Sequence, residues 1–499
     1  MCVFALGLAG TATAEPAATE ALYQQHCASC HGAQRLGGVG PALLPQNLGR
    51  LRKSAASEVI GKGRPLTQMS AFSAVLEDAQ VAALTEYIYQ PPTETPEWGL
   101  PEIRSSHIVH HKPGSLGDIP VFEADLQNLF IVVEQGDHHA TLLDGDRFEP
   151  IHRFKTRYAL HGGPKYSSDG RYVYFASRDG WISKFDIYNL EVVAEVRAGI
   201  NTRNAAVSFN NRYVAVGNYL PHSLVILDAV DLSPVVVLPM TDGAGTSSRV
   251  SAVYTAPPRD SFIVALKDIP EILEIPYSDI STNDPEIRRI RLDDYLDDFF
   301  FNQAYSVVMG ASRPAGSKIE AGAVSGSVID LNSGRKLADL AIPGMPHLGS
   351  GISWEYGDTT VMATPNLNAG AVSIIDMENW AVIRTLDTEG PGFFMRSHER
   401  SPYAWVDVFL GPHRDKVHVF DKQSLELVKT LAPVPGKTAA HVEFTRDGKY
   451  ALLSIWDVDG AVIVYDAKTL EEVKRIPMSK PSGKYNVYNK THYEAGTSH

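Results

Sequence analysis

Cys27-Ala28-Ser29-Cys30-His31 is a stretch whose spacing dictates a chemistry by itself. Two thiols about one helical turn apart can add across the two vinyl groups of a haem, and the adjacent imidazole then stands where it can bind the iron. A redox or zinc pair is the competing reading of two close cysteines. The whole chain has three cysteines, so no second pair exists to complete a zinc site. Further on, Gly63–Phe72 (GRPLTQMSAF) places Met69 ahead of a phenylalanine and before residues 76–89 (LEDAQVAALTEYIY), whose apolar positions recur at helical spacing. Met69 is therefore the expected second axial ligand, a thioether that raises an iron's potential relative to two imidazoles. Its alternative use is to fill the core of a small helical domain. The paired histidines His110-His111 and His138-His139 resemble metal sites at a glance, but adjacent strand residues point opposite ways, so they read as surface residues.

The elements that must carry this chemistry follow from composition. A chain of 499 residues exceeds one typical domain. Lys plus Arg number 45 against 58 Asp plus Glu, a net charge of −13, the wrong sign for a nucleic-acid or anionic-membrane binder. Forty glycines and 31 prolines spread along the chain suit many short strands joined by turns. Residues 1–14 (MCVFALGLAGTATA) form an apolar run ending in Ala12-Thr13-Ala14 and read as a signal peptide, which points to the periplasm. No other stretch reaches the roughly 18 to 20 apolar residues of a membrane span. Gln90–Glu97 (QPPTETPE) cannot continue a helix. The expected organisation is a cytochrome c domain at 15–92, a linker at 93–119 and a second domain at 120–499.

That second domain repeats itself. A polar turn, a β-rich run, a second alternating run ending in Asp and a third short run recur, most plainly at Ser167–Ala194 and Asp447–Val473. Units open near Ala124, Tyr166, Ser208, Ala256, Gln303, Trp354, His398 and Thr445, at intervals of 42, 42, 48, 47, 51, 44 and 47 residues. This is the period of a four-stranded propeller blade. The fold expected is an all-α cytochrome c domain followed by an all-β eight-bladed propeller, with a β-sandwich array as the alternative. The tail at Ser482–Asn489 would supply the strand that closes the ring.

The domain order, together with Trp98-Gly99-Leu100-Pro101-Glu102 and Gly483-Lys484-Tyr485-Asn486-Val487-Tyr488-Asn489, resembles the cytochrome cd1 family over essentially the whole chain after residue 14. The resemblance implies one covalent haem c and a non-covalent haem d1, or dihydro-haem d1, on the propeller axis. One branch of the family reduces nitrite. The other, to which this sequence looks closer, is the dihydro-haem d1 dehydrogenase branch, which completes haem d1 synthesis by oxidising a propionate to an acrylate. By that resemblance His161 in Tyr158-Ala159-Leu160-His161 is the proximal iron ligand, and His347 is one of the two distal histidines of the reductase. The other should fall in Leu292–Gln303 (LDDYLDDFFFNQ), which has no histidine and instead offers Asp293, Asp294, Asp297 and Asp298.

Two distal imidazoles donate protons to nitrite and stabilise it, whereas carboxylates repel it. With its partner missing, His347 is expected to bind the iron as a sixth ligand. His441 stands at the start of the last blade, where the reductase resemblance implies tyrosine. With Tyr485 it is expected to serve as base and proton relay. Arg178 and Arg203 match positions that hold the macrocycle's carboxylates, and Phe394 and Trp456 are candidates to pack on its face. Implied partners are a cytochrome cd1 nitrite reductase as haem d1 acceptor, other haem d1 biosynthesis proteins and a periplasmic electron acceptor. Three functions compete: the dehydrogenase, a nitrite reductase with altered distal chemistry, and a non-catalytic haem d1 carrier.

Overall fold

The computed structural model describes residues 16–49, 51–64, 68–278, 280, 286–314, 325–342 and 344–492. The signal peptide read at 1–14 lies outside them. The chain divides into two compact units between Glu97 and Trp98.

The first unit is helical: Pro16–His26, Ala28–His31, Pro45–Leu48, Lys53–Lys62 and Asp78–Ile88. The last helix starts where Glu77 and Gln80 form a capping box, the Glu77 amide donating to Gln80 Oε1 at 2.9 Å. It buries Val81, Leu84, Thr85 and Ile88, the spacing of one helical face, against Tyr23, Leu48, Ala56 and Ile60. Arg35 is buried and donates to the carbonyls of Tyr87 and Gln90 at 2.6 and 3.0 Å, placing a cation at that helix's C-terminus.

The second unit is an eight-bladed propeller; among the described residues each blade has four antiparallel strands, and the second carries Ile108–Val109 as a fifth on its outer edge. First strands are mostly buried, throughout at Ala439–Phe444, while fourth strands such as Glu149–Lys155 and Leu427–Leu431 are largely exposed. The first strand of each blade therefore lines the axis and the fourth faces solvent. Third strands end in Asp144, Asp186, Asp228, Asp330, Asp376, Asp421 and Asp466, the recurrent aspartate of the sequence pattern. Their carboxylates accept the amides that open the following turn, as from Lys468 at 2.9 Å and Thr469 at 2.8 Å to Asp466. Most of these turns close on a left-handed residue, among them Phe148, Leu190, Leu232, Leu425 and Leu470. Leu232 (0% exposed) and Leu425 (4%) show what offsets that strained backbone: the side chain is driven into the core.

Pro481–Asn486 becomes the innermost strand of the first blade, pairing Ile131 with Tyr485 and Val132 with Lys484. This is the ring closure expected of the tail. Within the span read as a linker, helix Leu100–Ser106 buries Ile103, and a short strand pairs Ile108 with Glu195 on the outer edge of the second blade. No helix among the described residues is long and apolar enough to cross a membrane.

Candidate active site

In the helical unit, Cys27 is the N-cap of the short helix Ala28–His31, which contains Cys30 and ends in His31. Neither cysteine is in a disulfide, and burial, with Cys30 adding to it, pushes the Cys27 thiol up to about 11. His31 is 8% exposed, and its Nδ1–H donates to the Pro41 carbonyl at 2.7 Å. That bond fixes the tautomer and leaves Nε2 with its lone pair free for a metal. Burial also lowers the His31 pKa, keeping the ring neutral. The ring stands against Gly40, where a β-carbon would lie 2.7 Å from Cε1. Gly40→Ala is expected to displace the imidazole and lower the yield of low-spin c-type haem, read from the absorption spectrum of the purified protein. Met69 lies half-buried in the loop between the last two helices, its carbonyl accepting from Arg64 N at 2.9 Å. Cysteine thiols one turn apart beside a tautomer-fixed imidazole fit a covalent haem.

In the propeller, the residues singled out from sequence lie on the inner strands, in the loops leading into them, or, for Arg178 and Trp456, in the turns that follow second strands. His161 precedes the first strand of blade two. Its Nδ1–H donates to the Arg203 carbonyl at 2.7 Å, and its Nε2 faces Arg178 Nη2 at 2.8 Å and Arg203 Nη1 at 3.3 Å. Arg203 lies in the first strand of blade three and approaches Asp298 at 3.8 Å. Asp298, in the first strand of blade five, accepts from Tyr254 Oη at 2.8 Å. His347 leads into blade six, and its Nδ1–H donates to the Phe393 carbonyl at 2.6 Å. Burial lowers its pKa, partly offset by the Asp298 charge. His31, His161 and His347 thus share one device, a carbonyl-anchored Nδ1 with Nε2 left as the acceptor.

The circuit continues through aromatic rings. His347 and Phe394 are 6.4 Å apart, Phe394 and His441 4.9 Å, and His441 and Tyr485 5.0 Å, edge to face. Trp456 stands 6.1 Å from Phe394 and 4.9 Å from Phe409. Gly163 closes the circle: its φ is +69°, and a β-carbon there would sit 2.8 Å from the Tyr485 ring. His161, Arg178, Arg203, His347, Phe394, His441, Trp456 and Tyr485 are therefore joined in one circuit of contacts at the inner ends of the blades. Cys27, Cys30, His31 and Met69 belong to the other unit.

The pocket's electrostatics follow from burial. Desolvation, reinforced by Lys484 and Arg396, holds His441 well below the usual histidine range, so its neutral form prevails at pH 7. Desolvation raises Tyr485, which stays a phenol. Burial lowers Lys165 to about 8 and pushes Lys490 well down as well, yet each keeps some accessible surface, as residues on a deep cavity wall do. The indole N–H of Trp456 is buried without a hydrogen-bond acceptor. Cations, exposed aromatic faces and an orphaned donor fit a planar ligand that carries carboxylates.

Several pocket residues had no assigned role in the sequence reading: Tyr254, Phe393, Phe409, Arg396, Lys484 and Lys490. Tyr254, Phe393, Arg396 and Lys484 lie on or next to an inner strand, Phe409 follows the second strand of blade seven, and Lys490 lies on the helix Val487–Thr491. Of the four aspartates considered, Asp298 faces the axis. Asp297 pairs with Lys267 at 2.7 Å, and Asp294 with Lys336 at 3.2 Å. His110 and His111 pair with Glu195 and Glu191, and no group of three metal-suited side chains occurs among the described residues.

A family model described as "Cytochrome D1 heme domain" matches residues 124–490, and one described as "Cytochrome C oxidase, cbb3-type, subunit III" matches residues 14–88. The chain belongs to the cytochrome d1 haem-domain family. It is 58% identical to the dihydro-heme d1 dehydrogenase of Pseudomonas aeruginosa over 497 residues, covering 99% of each chain. A solved structure described as "Dihydro-heme d1 dehydrogenase NirN in complex with DHE" matches with a TM-score of 0.91, covering 95% of this chain and 99% of that one. Similarity to the nitrite reductase of Stutzerimonas stutzeri is 26% over 97% of this chain and 96% of that protein.

Proposed function

We propose that this protein is a periplasmic dihydro-haem d1 dehydrogenase, an oxidoreductase that converts a propionate side chain of its tetrapyrrole substrate to an acrylate. The reading is carried by the His441–Tyr485 pair: a neutral imidazole 5.0 Å from a protonated phenol on the wall of an axial pocket. Full-length 58% identity to a dehydrogenase of that substrate supports it.

Forming the double bond removes two protons and two electrons from adjacent carbons. His441 accepts a proton from the carbon next to the carboxylate, and Tyr485 relays a proton away. Arg178, Arg203 and the Trp456 N–H hold the substrate's carboxylates. Phe394 packs on the macrocycle. His161, once Arg178 and Arg203 turn from its Nε2 to the substrate's carboxylates, and His347 would each offer Nε2 to the substrate iron, and a bound His347 would leave no position for a small anion. Cys27, Cys30, His31 and Met69 would hold the covalent haem, which would supply a one-electron acceptor, and a periplasmic electron acceptor would take the two electrons onward. The product passes to a cytochrome cd1 nitrite reductase. Asp298 beside His347 disfavours nitrite as substrate, because its charge opposes the anion.

Protein with oxidised c haem, given dihydro-haem d1 anaerobically, is expected to convert the pigment spectrum to that of haem d1 while the c haem becomes reduced. Pigment binding without conversion, whatever acceptor is added, would leave a carrier. Rapid nitric oxide formation from nitrite would make it a reductase.

A further inference from the structure

Asp407 ends the second strand of blade seven, Tyr403–Asp407, and its carboxylate is sealed from solvent. Oδ1 accepts from the amides of Phe393 at 2.7 Å and Phe394 at 3.1 Å. Oδ2 accepts from the amide of His441, in the next blade, at 3.3 Å. Because the Phe393 carbonyl receives His347 Nδ1–H, one carboxylate ties together the backbones that position both imidazoles.

The opposite side of the His441 peptide is held by Lys484 from the closing strand. Its Nζ donates to the His441 carbonyl and to Ser454 Oγ, the latter at 2.8 Å. Between these two side chains His441 adopts a left-handed backbone, φ +55°, where the strand Ala439–Phe444 shifts register between Ala440 and Val442. A bulge re-aims a side chain, and without it the ring would turn to the other face of the strand. Such a conformation persists when its surroundings over-determine it. Burying a carboxylate is costly, and desolvation pushes Asp407 up to about 7 despite its three amide donors.

We infer that Asp407 and Lys484 clamp the His441 peptide in this bulge, making Asp407 a positioning residue that sets the His441 imidazole against Tyr485 and fixes its spacing from His347. The inference rests on His441 being the base.

Asp407→Asn keeps the volume but replaces one acceptor with an N–H group. Dihydro-haem d1 binding to Asp407→Asn is expected to stay within about threefold of the parent, while single-turnover oxidation slows about thirtyfold, roughly 2 kcal/mol of barrier. Added to His441→Ala, the same change should cost less than about twofold, because Asp407 acts through the missing ring. A crystal structure of Asp407→Asn should show His441 rotated away from Tyr485. A parental rate in Asp407→Asn, or an undiminished thirtyfold loss in the His441→Ala background, overturns the clamp. If His441→Ala itself turns over at the parental rate, the base assignment falls and the clamp with it. A slow His441→Ala beside a fast Asp407→Asn sinks the clamp alone. Should Asp407→Asn not accumulate as folded protein, Lys484→Met decides: the same split between binding and rate supports the clamp, and a parental rate overturns it.

Discussion

His441→Ala is expected to bind dihydro-haem d1 with near-parental affinity and to oxidise it about 10² to 10⁴ times more slowly, the usual contribution of a positioned acid or base. The size follows from the surroundings. Desolvation and the neighbouring Lys484 and Arg396 keep the imidazole neutral, so in the parent protein the competent form is resident through neutral pH and is lost only as pH falls well below 6.5. Rapid-mixing spectroscopy of the pigment band separates the two quantities: binding appears in the first spectra and conversion in their evolution. Tyr485→Phe should slow conversion at least tenfold, about 1.4 kcal/mol, because it removes the relay hydroxyl but keeps the ring that packs on Gly163 and His441. Parental rates in both variants would remove the pair from the chemistry.

Cys27→Ala/Cys30→Ala has the other large effect. Without thiols the covalent haem is not attached, and haem-linked peroxidase staining of a denaturing gel should vanish. The propeller is a separate compact unit with its own core, so pigment binding should survive. Net conversion should fall to the rate supported by added chemical oxidants alone. Conversion at the parental rate with the physiological acceptor would show that electrons leave the substrate by another route.

What could be read in advance divides by the range of the signal. Cys27–His31 is a local pattern, and its meaning survives without any fold. The blade period was legible because each blade repeats the same turn chemistry, with an aspartate that must accept the amides after the third strand. The roles of His161, His347, His441 and Tyr485 came from family resemblance, since each alone is an unremarkable polar residue near a strand. The segment 292–303 offered four aspartates, and counting alternation could not separate them. A bulge between Leu296 and Asp298 breaks the two-residue period, and it is Asp298 that faces the axis. Asp407 and Lys484 were hidden for a related reason. Charged residues on strands are usually solvated, and the burial of these two depends on blades seven, eight and one meeting, which no local pattern encodes.

The innermost strand of the first blade comes from the far end of the polypeptide, and it brings Tyr485 and Lys484 with it. Chemistry here is therefore contingent on completion: a ribosome must finish, and the tail must find the head, before phenol and imidazole can meet. A nascent or clipped molecule would own most of the cradle and none of the relay, so turnover doubles as a certificate that the annulus has been sealed.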